Sequence, residues 1–227
     1  ELKSLLGLLP KIEGKKAEKA NEFLNSIYLT NPPETYLNAH FLKHDGHAYI
    51  YTTANGKIHE YKVLPLCCLA CKLNAIQEIK YFKELESTEY ASSLPQIYST
   101  AFTTNISPNK NINMSKYYLV FEREHLQSIE SVKNINYQSL VNLLKLIDYL
   151  KKKYNLSFSD LSPNNLGVDS VGNLKIINLN LVEITKNINV YLPKYSVLDK
   201  FSPELFGENR DDYLKMKYLI SQNRISF

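Results

Sequence analysis

At 227 residues the chain is long enough for one large domain or a two-lobed one with a substantial core, and 44% apolar with 22% charged residues excludes a disordered chain. A formal net charge of +4 without a concentrated basic stripe gives no footprint for nucleic acid, and no run of eighteen apolar residues offers a membrane span. The cysteines, Cys67, Cys68 and Cys71, are odd in number and clustered, which argues against a disulfide framework and for free thiols in a reducing, intracellular compartment.

In chain order, residues 1–34 carry two short helical patterns. Leu2, Leu5, Leu6 and Leu9 form one apolar face, closed by Pro10. Ala17, Ala20, Phe23, Leu24 and Ile27 form another, ended by Pro32 and Pro33. They read as an N-terminal helical extension. From Tyr36 the period becomes strand-like. Residues 39–42, 47–53 and 57–64 read as strands, separated by His44-Asp45-Gly46 and by Asn55-Gly56, a strong hairpin signal. The spacing predicts a helix over 74–85, then strands at 94–98 and 117–121 flanking an Asn-rich loop over 105–115. Leu140, Leu143, Leu144, Ile147 and Leu150 form a helical stripe over 137–154, the core helix of a second half. Lys151, Lys152 and Lys153 close that helix, where cations complement its dipole. A last helix is predicted over 211–220.

Between these helices lies Leu156-Ser157-Phe158-Ser159-Asp160-Leu161-Ser162-Pro163-Asn164-Asn165-Leu166-Gly167-Val168, followed by a turn and the apolar run 173–179. An Asp, a Pro three residues on, an Asn five residues on and then an apolar strand resembles the catalytic loop of the protein kinase superfamily. The order of the other elements agrees with that resemblance over residues 40–220. It implies an α+β, bilobal protein kinase-like fold: an antiparallel-sheet N-lobe with its C-helix over 35–124, and a mainly helical, shortened C-lobe over 125–227. It also implies ATP and Mg2+ as cofactors. Lys62 on the third strand would hold the α- and β-phosphates, and Glu78 on the following helix would hold Lys62. Gly46 would stand in a sparse phosphate-covering loop. Phe121 would be the gatekeeper, with Glu122, Arg123 and Glu124 as the hinge that receives adenine. Asp160 would orient the substrate hydroxyl, and Asn165 would bind metal.

The departures weigh on chemistry. Phe158-Ser159 replaces the His-Arg before the loop Asp, Ser162 replaces the common Lys two residues after it, and Asn178 stands where the family has its magnesium-chelating Asp. A neutral amide brings no charge to a hard dication, so metal binding at Asn165 and Asn178 should be weakened. Within the superfamily the chain is most similar to haspin-like kinases, in Glu122-Arg123-Glu124 through Ile129-Glu130 and in Glu204-Leu205-Phe206-Gly207 leading to Asp211-Asp212-Tyr213 and Met216. That likeness implies Glu122, Glu124 and Glu130 facing a basic, histone-like substrate. The expectation is a kinase-fold protein with weakened or lost phosphotransfer, working as a nucleotide-binding or scaffolding module with a protein partner. The alternative is an active, atypical ATP-dependent Ser/Thr kinase. Neither nucleic acid nor membrane is expected as a partner.

Overall fold

The computed structural model describes residues 39–45, 48–52, 59–66, 69–103, 118–158, 161–179, 181–183 and 195–227. The N-terminal extension, Gly46, the Asn55-Gly56 turn, the 105–115 loop and the Ser159-Asp160 pair lie outside them. The protein is α+β, with an antiparallel sheet and a few helices. The described residues gather into two compact units. One comprises those up to Lys80 together with Gln96–His125, and the other comprises Tyr81–Pro95 together with Leu126–Phe227. Tyr81–Pro95 thus groups with the later residues, and the chain passes from one unit to the other within the helix Leu69–Glu86.

The first unit is a five-stranded antiparallel sheet. Its strands are β1 (His40–Asp45), β2 (Ala48–Thr52), β3 (His59–Pro65), β4 (Ile97–Thr103) and β5 (Tyr118–Glu124), in the order β1-β2-β3-β5-β4. Strand alternation sorts the side chains into two cores. Tyr49, Tyr51, Tyr61, Val63, Tyr118 and Val120 pack together on one side. Ala48, Leu64, Leu119 and Phe121 point to the other, where they meet Ala75 and Ile79 of helix α1 (Leu69–Glu86). A sheet buried on both faces suits these β-branched and aromatic runs.

The second unit is built around helix α2 (Tyr137–Tyr154). The Asn136 side chain accepts from Gln138 N at its start, and Asn155, left-handed at φ 53°, ends it. Its stripe is buried as the spacing predicts, with Leu140, Leu143, Leu144 and Leu150 sealed from water. The Ser139 hydroxyl, on the same face, accepts from Leu174 N at 2.9 Å and so pins the next sheet to the helix. That sheet joins β6 (Gln127–Ser128), β8 (Leu166–Val168) and β9 (Leu174–Ile176), while β7 (Leu156–Phe158) pairs with β10 (Leu181–Glu183). Gly167 in β8 is required by close approach: a Cβ there would lie 2.8 Å from Leu126 Cβ. Helix α3 (Arg210–Ser221) follows a 3-10 segment, Pro203–Asn209. No helix among the described residues is long and apolar enough to cross a membrane.

Candidate functional site

In the first unit, β3 presents Glu60, Lys62 and Leu64 to the α1 side of the sheet, because side chains alternate along a strand. Glu78 sits on α1 facing that side. The Lys62 ammonium donates to Glu78 Oε1, and both side chains are almost wholly withdrawn from water, at 2% and 9% exposure. Two residues 16 positions apart, one on a strand and one on a helix, are thus paired. Opposite charges at that depth persist because each compensates the other's lost hydration.

A second buried pair lies beside the first. Arg123 on β5 is the cross-strand neighbour of Glu60. Its Nε donates to Glu60 Oε1 at 2.8 Å and its terminal nitrogen lies 2.7 Å from the same oxygen. Glu60 Oε2 is 3.1 Å from His125 Nδ1. Burial pushes the Glu60 carboxyl up, but the charge of Arg123 and the contacts of His125 and Arg123 outweigh it and hold the group below its ordinary value. Glu60 was not among the sequence-derived site residues. The available signal was its position two residues before Lys62, which on a strand means the same face.

Phe121, the cross-strand partner of Lys62, is a core residue at 3% exposure. Glu122 points the other way. It accepts from Ser99 Oγ at 2.9 Å and contacts His59 Nδ1 at 3.1 Å, with the His59 ring stacked on Tyr98. Glu124 accepts from Gln96 N at 2.8 Å, and its own N–H donates to Gln96 O. Residues 122–124, read from the sequence as the hinge, lie within β5, which runs between β3 and β4. The reason is register, since β3 starts at His59, opposite Glu124, and keeps the ladder going. The chain leaves the strand at His125.

In the second unit, the 3-10 turn Pro163–Asn165 and the end of β9 bring two amides together, with Asn178 Nδ2 donating to Asn165 Oδ1 at 2.8 Å. The backbone fixes them: Asn165 N donates to Ser162 O and Ile177 N to Asn165 O. Two neutral amides bonded to one another are a poor donor set for magnesium, which needs hard, preferably anionic oxygens. Among the described residues, no three His, Cys, Asp or Glu side chains gather as a metal ion would need. Asp160 and Gly46, the remaining expected site residues, lie outside the described residues. No sequence motif marks Asp148, a carboxylate within the apolar stripe of α2. It is buried and accepts from the Tyr195 hydroxyl at 2.7 Å.

No protein-family profile matches the sequence, and no curated protein matches it. Among solved structures, the chain is similar to one described as "High resolution (2.2 A) crystal structure of WbdD". The identity is 14% and the TM-score 0.41, over 64% of this chain and 33% of that one. The match thus spans about a third of the WbdD chain.

Proposed function

We propose that this chain is a divergent member of the protein kinase superfamily, haspin-like in its sequence likeness, that has lost phosphotransfer and works as a scaffold for a protein partner. The observation that carries the kinase reading is the Lys62–Glu78 ion pair, a strand lysine held by a helix carboxylate as phosphate positioning in that superfamily requires. Its placement in chain order, ahead of Asp160 and Asn165, supports the same reading.

The loss of transfer is supported by the Asn165–Asn178 amide pair. Phosphoryl transfer is catalysed largely by placing metal charge on the phosphate oxygens. Here the amide at 178 is neutral, and its Nδ2 donates to Asn165 Oδ1, the oxygen through which Asn165 would bind metal. The retained Lys62, Glu78, Asp160 and Asn165 favour a second reading, an active atypical Ser/Thr kinase.

A magnesium-dependent assay for transfer of labelled phosphate from ATP to protein substrates separates the two. The expected result is no signal above that of Asp160→Ala, and turnover that vanishes in Asp160→Ala would overturn the scaffold reading. In parallel, Asn178→Asp supplies the missing charge. Magnesium should raise the melting temperature of that variant and leave the wild type unmoved.

A further inference from the structure

We infer that Glu60 and Arg123 close the nucleobase end of the Lys62 face, so that a ligand reaching Lys62 is recognised by its phosphates and not by its base. The inference rests on the reading of Lys62 as a phosphate-holding lysine. From Lys62, the next side chain on the same face towards the end of β5 is Glu60, about 7 Å along the strand, and across from it stands Arg123. A base extending from phosphates at Lys62 along the strand towards the end of β5 would lie over these two residues.

A purine needs apolar walls and a few unspent polar groups to read its edge. The walls here are a desolvated ion pair, with the side chains of Glu60 and Arg123 only 3% and 2% exposed. The carboxylate is already contacted on both oxygens, Oε1 by Arg123 and Oε2 by His125. Backbone recognition is closed as well. Residues 122–124 lie within the ladder between β3 and β4, and Glu124 N is bonded to Gln96 O. Parting the pair to admit a base would strand a buried charge on each side. Replacing both members with apolar residues would remove that obstacle and restore an apolar wall.

The test compares ATP with inorganic tripolyphosphate by calorimetric titration of the full chain, in wild type and in the double variant Glu60→Ala/Arg123→Leu. Removing both charges together avoids leaving one unpaired. In the wild type both should bind, ATP no more than threefold tighter than tripolyphosphate. The double variant should gain at least tenfold for ATP and no more than threefold for tripolyphosphate. Wild-type ATP binding tenfold tighter than tripolyphosphate, with both lost in Lys62→Met, would overturn the inference while leaving the phosphate-site reading intact. Absence of ATP binding in both wild type and variant would overturn the inference and that reading together. If circular dichroism shows the double variant unfolded, Glu60→Met/Arg123→Met, which removes both charges and keeps most of the side-chain volume, replaces it with the same criteria.

Discussion

Lys62 and Glu78 are held so far from water that their worth differs from that of a surface pair. Exposed ion pairs contribute about 0–1 kcal/mol. Breaking a buried one by removing a single partner costs about 3–5 kcal/mol, because the survivor is left charged and desolvated. Lys62→Met and Glu78→Leu should therefore each lower unfolding stability in urea by about that amount. The double variant Lys62→Met/Glu78→Leu should lose much less than either single change. A double variant whose loss equals the sum of the two would mean that the side chains are not energetically coupled, and would remove the pair as support for the kinase reading. Lys62 and Glu78 were legible in the sequence because a strand lysine and a helix carboxylate have a fixed order in the family it resembles. Glu60 and Arg123 were not, because their meeting depends on the register of β3 against β5. They are 63 positions apart, and no local pattern encodes that alignment.

At the scale of elements, α2 was readable to its ends, since one apolar stripe with Asn136 and Asn155 at its caps fixes both period and limits. The docking of α3 was not, because it depends on one phenol. Tyr213 is sealed from water, and its hydroxyl donates to Leu198 O at 2.6 Å and lies 3.1 Å from Phe201 O. Its ring stacks on Phe206, with centroids 4.4 Å apart. The helix is thereby tied to the segment ahead of Ser202-Pro203-Glu204. Burial, with a smaller contribution from the Asp199 charge, pushes the Tyr213 phenol up to about 12. In the unfolded chain a phenol ionises near 10. The folded state thus prefers the neutral form, and this contribution is complete below pH ~10 and is lost as pH rises from there through the folded value. Tyr213→Phe should cost about 1–3 kcal/mol at neutral pH, the range for leaving buried acceptors unserved. The gap between wild type and variant, followed by urea unfolding, should narrow above pH ~10. A gap independent of pH would show that the hydroxyl is not held neutral by the fold.

For the whole molecule, the decisive feature is that neither unit is a continuous stretch of chain. The sequence carries no mark of the grouping of Tyr81–Pro95 with later residues, because helix α1 has no break where the chain passes from one unit to the other. The reason lies in aromatic packing specified at a distance. Tyr81 meets the Tyr154 ring edge-on at 6.0 Å, and Tyr90 packs on Tyr149 at 4.7 Å, both at the C-terminal end of α2. Aromatic contacts of this kind are worth about 0.5–1.5 kcal/mol each beyond the area they bury. The 3-10 segment Glu89–Ser93 adds Ser93 and, at its end, Leu94 to the buried set. A fragment of residues 126–227 therefore lacks an integral part of its own unit and exposes one end of α2. It should be collapsed but not cooperatively folded, with weak near-ultraviolet circular dichroism and a shallow urea transition. A single chain carrying 81–95 joined to 126–227 by a flexible Gly-Ser linker should recover a sharp transition, and Tyr90→Ala in that chain should lower its midpoint. If residues 126–227 alone unfold as sharply as the joined chain, Tyr81–Pro95 is only an appendage to the second unit, and the division of the molecule runs at His125 alone.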